Sequence, residues 1–270
     1  MNASRLVSQL SLGLALGLLA FVVFGPLLNL GLWAFAEQWF YPHTLPTQWG
    51  FDFWARVFRP RAGAWSSLFN TVLVAFSAVA LSMALAVPAG YALARLALPG
   101  RHAIMLLFLL PQAFPNLPIF VNIAAIFHQL GLNGTLIGVV LVHSLPGLVY
   151  AVWIATAAFS AVDRSLEESA RNLGASPLRA FFDVTLPQAL PGLLAASIFV
   201  FLDSVDEFTG TFFVGAPEIT TLPLLMFNAS MGGNYQVAAI TALILLIPSI
   251  GFMLVIERFL KADVLSRIGR

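Results

Sequence analysis

Apolar residues in this chain come in long blocks and seldom alternate with polar ones. Six blocks stand out, at roughly 10–36, 66–94, 103–127, 135–159, 188–213 and 235–257. Each is long enough for the about 20 residues that a helix needs to cross a hydrocarbon core. A barrel strand would alternate over about 10 residues. The runs LLAFVVFGPLLNLGLWAF and ALILLIPSIGFMLVI are instead apolar on every face. The pattern predicts an all-α membrane protein with six transmembrane helices. Ala34-Phe35-Ala36 has the small-x-small form of a cleavage site, but the apolar run before it, roughly 25 residues, exceeds the 7–15 of a signal-peptide core. The first block is therefore expected to stay as an anchor.

The basic residues orient the helices. With the N-terminus inside, the inner segments hold Arg5, Arg95, Arg101, Arg164, Arg171, Arg179, Arg258, Lys261, Arg267 and Arg270, and the outer ones only Arg56, Arg59 and Arg61. Lys and Arg concentrate on the cytoplasmic side, so both termini are expected in the cytoplasm. The expected division is an anchor helix with an outer loop over 1–65, a five-helix core over 66–257 and a cytoplasmic tail over 258–270. Nothing resembles an organelle transit sequence, which points to a bacterial inner membrane. The outer loop 37–65 is dense in aromatics, from Trp39 to Trp65, and Asp52–Phe58 reads as a short interfacial helix capped by Asp52. Anchoring at the membrane surface and docking of an external partner are both open to it.

Composition removes whole classes of function. Sixty per cent of the 270 residues are hydrophobic and 9% are charged; soluble domains average about 45–50% and about 25%. So few charges cannot cover a water-soluble domain of this size. The formal charge of +1 argues against a nucleic-acid partner, and the absence of cysteine removes disulfides, zinc–thiolate sites and cysteine nucleophiles.

Polar and helix-breaking residues inside the blocks are the candidates for function. Pro111, Pro115 and Pro118 lie within eight residues of the third block. Each removes a backbone donor, so the helix should kink or break near mid-membrane. Irregular backbone at that depth is tolerated only against protein or a wet cavity, so the segment either lines a pathway or serves packing. Asp203, Asp206 and Glu207 follow an i, i+3, i+4 spacing that would place them on one helix face toward the outer end of the fifth block. Buried charges there are costly and are usually paired or functional. A cation-attracting mouth and a simply wet helix end both fit them. His43, His102, His128 and His143 share no metal-ligand spacing, and no metal site is expected.

The inner loop 160–187 reads as helix, turn, helix. Glu167 and Glu168 suit the positive end of a first helix, Gly174 a left-handed stop, and Ser176-Pro177 the cap and first position of a second. A handle for a cytoplasmic partner and an ordinary connector are both compatible with this. The spacing adds a specific resemblance. Glu168, Ser169, Ala170, Gly174, Val184, Leu186 and Pro187 match the pattern E-A-A-x3-G-x9-I-x-L-P of the EAA loop of ABC importer permeases at every gap. Ser169 and Val184 are the departures. Asn70-Thr71 is similar to the Asn-Ser that often opens the permease core, and SVDEFTGTFFVGAPEITTLPLLMF resembles the matching stretch of spermidine/putrescine-type permeases, a group that also includes iron, thiamine, opine and aminoethylphosphonate transporters.

The resemblance implies a type I importer permease whose EAA loop couples to a separate ATP-binding subunit. Glu167, Glu168, Ser169, Ala170, Arg171, Gly174, Ala175 and Pro187 would form the coupling loop: Glu168 and Arg171 as polar contacts, Gly174 as the turn, Ala170 and Ala175 as points of close approach. Asp203, Asp206, Glu207, Pro111, Pro115 and Pro118 would belong to the substrate pathway, with a small cationic or amine-bearing solute such as a polyamine as the expected cargo. The implied partners are a second permease, identical or related, two ATP-binding-cassette subunits, a periplasmic solute-binding protein and membrane lipid. No catalytic residue is expected here. A phosphate-binding loop needs G-x4-G-K-[ST], and no such glycines precede the single lysine, Lys261. ATP and Mg would be bound by the partner subunit, with no cofactor in this chain. The alternative is an ion-gradient-driven secondary transporter using Asp203, Asp206 or Glu207, which leaves the EAA spacing unexplained. An intramembrane serine protease would need a Ser–His pair in the membrane; the sixth block has no histidine, and no G-x-S-x-G elbow occurs.

Overall fold

The computed structural model describes the backbone over residues 3–268, with side chains at residue 9 and over 12–258. The side chains of Arg5, Lys261, Arg267 and Arg270, used above for orientation, lie outside the described residues. In order the elements are α1 (Ala3–Phe35), a two-stranded hairpin β1 (Ala36–Gln38) and β2 (Gln48–Trp49), α2 (Asp52–Val57), α3 (Ala64–Arg95), α4 (Arg101–Leu109), α5 (Asn116–Gln129), α6 (Leu136–Ala161), α7 (Arg164–Asn172), α8 (Pro177–Ala180), α9 (Leu186–Asp206), α10 (Leu222–Met231) and α11 (Tyr235–Ile268). Five stretches are long and apolar enough to cross a membrane singly: Leu12–Phe35, Ala64–Arg95, Leu136–Ala161, Pro177–Asp206 and Tyr235–Arg258. The pair Arg101–Ala113 and Asn116–Gln129, bent by 95°, is a broken sixth.

Contacts divide the chain into two compact units, one of residues 1–65 and 225–244, the other of 66–224 and 245–270. In the first, aromatic rings stack at the end of α1. Trp33 lies 4.4 Å from Trp39 and Phe35 5.6 Å from Trp54, and the Trp54 indole donates to the Ala34 carbonyl at 2.8 Å. Ala34 and Ala36, the small residues of the cleavage-like triplet, are buried here. The hairpin pairs Ala36 with Trp49 and Gln38 with Gln48; the sequence gives no sign of it, because strands this short carry no period. The short helix forms as expected, but Phe51, not Asp52, occupies the cap position. The Asp52 amide donates to Glu37 Oε1 at 3.1 Å.

The second unit is built on α3, α6 and α9. Between helices in lipid, close van der Waals packing takes over from hydrophobic burial, and small residues permit it. Gly90 on α3 meets Ala155 and Thr156 of α6 so closely that a Cβ would stand 2.7 Å from the Ala155 Cβ. Gly147 on α6 faces Val200 of α9 in the same way, at 3.0 Å. Phe159, Val152, Val200 and Phe201 fill the seams and are fully enclosed. Phe201 stacks on Phe252 of α11 at 4.0 Å.

Two predicted helices end differently. The third block breaks over a tight turn at Leu110–Ala113, with Phe114 extended and Pro115 at the cap of α5. The fifth block stops at Asp206, where Glu207 turns extended (φ −72°, ψ 116°), instead of continuing to 213. The chain then re-enters a wide helical turn at Thr211–Gly215.

Candidate functional site

The inner loop folds as a compact elbow. The Asp163 carboxylate accepts the Ser165 amide at 2.9 Å and starts α7. That bond, foremost, holds the Asp163 carboxyl below the usual carboxylate range. At the other end Gly174 takes φ +92°. Its amide donates to Arg171 O at 3.0 Å and that of Ala175 to Ala170 O at 3.1 Å, which are the two bonds of a Schellman stop. A side chain at Gly174 would meet no atom within 4 Å, so the turn alone requires glycine. Ser176 Oγ accepts the Arg179 amide at 3.3 Å and caps α8, with Pro177 in its first turn. A wide helical turn, Phe181–Thr185, joins α8 to α9, and Pro187 lies exposed in the first turn of α9.

The predicted coupling residues separate into an inward and an outward set. Only Glu167 of the two glutamates sits in the first turn of α7, and it faces inward. Its Oε1 accepts Tyr91 Oη at 2.6 Å, and its Oε2 lies 3.3 Å from Arg95 Nε in an ion pair without hydrogen-bond alignment. The Arg95 side chain is 7% exposed and also donates to Val162 O at 2.9 Å. Arg164 donates to Ala94 O at 3.1 Å. The elbow is thus fastened to the end of α3 at four points. Glu168, Ser169, Arg171 and Gly174 are exposed, and Glu168, Arg171, Asn172, Ala175 and Pro177 line a surface hollow of about 370 Å³. Leu173, at the tip, is 90% exposed. Tyr91, Arg95 and Leu173 were missed in the sequence reading. The signal available was Arg95 closing a span and a leucine beside the stop glycine.

The acidic group is less unified than its spacing suggested. Asp203 and Asp206 lie on α9, while Glu207 lies past its end and off their face. Its carboxylate accepts the Gly210 amide at 2.8 Å and so restarts the helix. Asp203 is half-buried, with Oδ2 unpartnered among the described residues; Asp206 is exposed. Pro111, Pro115 and Pro118 are exposed on this chain and belong to the break between α4 and α5. Nearby, His143 on α6 is buried. Its Nδ1 lies 3.0 Å from both the carbonyl oxygen and the hydroxyl of Ser204, and its Nε2 is hydrogen-bonded to Thr211 Oγ1 at 2.7 Å. The ring ties α6 to both sides of the interruption after α9. No group of His, Asp and Glu among the described residues could hold a metal ion.

The family described as the inner membrane component of binding-protein-dependent transport systems matches this chain over residues 86–263. The chain belongs to that family. It is an ABC importer permease subunit, a multi-pass protein of the bacterial inner membrane. The permease is 28% identical over 227 residues to the trehalose transport system permease protein SugB of Mycobacterium tuberculosis, covering 82% of each chain. It is 32% identical over 139 residues to the putrescine transport system permease protein PotI of Escherichia coli, covering half of each. Its fold matches a chain of a bacterial ABC transporter involved in the import of the acidic polysaccharide alginate, with a TM-score of 0.70 at 20% identity, over 96% of the permease and 98% of that chain.

Proposed function

We propose that the elbow at 160–187 is the surface on which a separate ATP-binding subunit drives this permease. The carrying observation is the division of α7 into two faces. Glu168 and Arg171 stand exposed beside the hollow, with Leu173 at the tip, while Glu167 binds the same helix to α3. A push on the outward face is carried to α3 through that clamp as well as along the chain into α9. ATP and Mg belong to the partner, and the working unit is two permeases, identical or related, with two ATP-binding-cassette subunits and a periplasmic solute-binding protein. Both termini face the cytoplasm.

For the cargo, we propose a small cationic or amine-bearing solute such as a polyamine. The half-buried Asp203, with Asp206 one turn away and Glu207 beyond it, supports this, as does the likeness to a putrescine permease. The trehalose and alginate transporters among the similar proteins show how widely cargo varies on this scaffold. The break at Pro111–Pro118 would line the route.

The test is reconstitution with the ATP-binding subunit and the binding protein. ATPase activity is expected only from the assembled complex and should rise with loaded binding protein. Glu168→Lys and Gly174→Pro should abolish transport while leaving the permease in the membrane. Normal transport by both variants would remove the coupling role. Uptake driven by an ion gradient without the ATPase would instead favour a carrier working through Asp203, Asp206 or Glu207.

A further inference from the structure

Basic side chains converge where α3 ends and α4 begins. A cavity of about 390 Å³ there is lined by Arg95, Arg101, His102, Arg164 and the connecting loop. Arg95 has its counter-charge in Glu167. No carboxylate lies within ion-pair distance of Arg101 or Arg164 among the described residues, and the buried Nε–H of Arg101 has no hydrogen-bond partner. The first turn of α4 adds to the same field. Its cap is Gly100, at φ +72°, which offers no side chain to the amides of that turn, of which the Arg101 amide donates to Leu98 O at 3.3 Å.

A second, independent feature is the surface below. The exposed face of α4 starts at His102 and continues as leucine: Leu106 is 63% exposed, Leu107 60% and Leu110 50%. Uncompensated positive charge at the end of a span, above an apolar track running into the bilayer, matches one kind of molecule. We propose that this cavity binds the phosphate of an anionic glycerophospholipid, with an acyl chain along Leu106 and Leu107. Basic hollows at the ends of transmembrane helices suit such headgroups. A zwitterionic headgroup would bring an ammonium to a cavity that no carboxylate lines. A soluble phosphate would leave the leucine track unused.

The experiment uses the full chain in phosphatidylcholine vesicles containing phosphatidylglycerol as a minor component, followed by native mass spectrometry of the lipids retained on extraction. Phosphatidylglycerol should be retained in excess over its share of the vesicle. Arg101→Gln should lower that excess about fivefold, the factor corresponding to one basic residue near a lipid surface. Arg179→Gln removes an exposed charge from the same end of the molecule, outside the cavity, and should leave the ratio unchanged. An equal drop in both variants would reduce the effect to general surface charge and overturn the proposal. If Arg101→Gln does not assemble, the unsubstituted chain decides. Retention in proportion to vesicle composition, or loss of phosphatidylglycerol to millimolar inorganic phosphate alone, overturns the lipid site; retention in excess that survives phosphate supports it.

Discussion

At the residue scale, two carboxylates next to each other in sequence do different jobs. Successive helical residues are about 100° apart around the axis, so Glu167 meets α3 while Glu168 looks outward. Removing Glu167 leaves the Arg95 guanidinium, 7% exposed, without its counter-charge. Glu167→Ala should therefore destabilise the permease by about 2 kcal/mol, less than for a fully dry pair because Glu167 keeps some contact with water. Thermal unfolding in detergent measures this, and Glu167→Gln, which still accepts from Tyr91, should lose less. Asp163 makes a prediction about pH. Its hydrogen bond to the Ser165 amide favours the ionised form and holds the carboxyl below its ordinary range in the folded state, so the stability it adds is present above the ordinary carboxylate value and is lost as pH falls through the depressed one. The protection of amides at the start of α7 against hydrogen exchange, taken relative to the intrinsic rate at each pH, should fall on acidification. Asp163→Asn, which keeps a good cap, should abolish that acid response.

At the scale of elements, the seams between helices depend on missing side chains. Gly90→Ala would put a methyl 2.7 Å from the Ala155 Cβ and 2.9 Å from the Thr156 backbone nitrogen. Since neither can yield without moving α6, a loss of about 1–3 kcal/mol is expected. Gly31→Ala on α1, with nothing within 4 Å, should be neutral or slightly stabilising, and melting curves of the two variants separate packing from helix propensity. The sequence showed where the helices lie because an apolar run of bilayer length has few other uses. It showed the elbow through a stop glycine and a Ser-Pro cap at fixed offsets, while the Asp163 cap that starts α7 was not read from it. It hid the end of α9. The i, i+3, i+4 spacing of Asp203, Asp206 and Glu207 presumes an unbroken helix, and the Glu207 side chain itself forms the restart. It also hid the partner of Glu167, since nothing local tells which of two adjacent glutamates faces Arg95, 72 positions earlier in the chain.

At the scale of the whole molecule, orientation across the bilayer is directly measurable, because the chain has no cysteine of its own. A cysteine at Leu173 should react with a membrane-impermeant maleimide only in inverted vesicles, and one at Glu218, in the loop after α9, only in intact cells. The reverse pattern would place the elbow on the wrong side for an ATP-binding partner. The break between α4 and α5 has a consequence for how the cell counts its subunits. Nine residues of α4 and fourteen of α5, turned by 95°, leave peptide groups facing oil wherever no neighbour shields them. In the complex proposed above, a neighbouring subunit over this stretch would shield those groups, so the permease expressed without partners should be cleaved faster by membrane proteases than when co-expressed, which pulse-chase labelling measures.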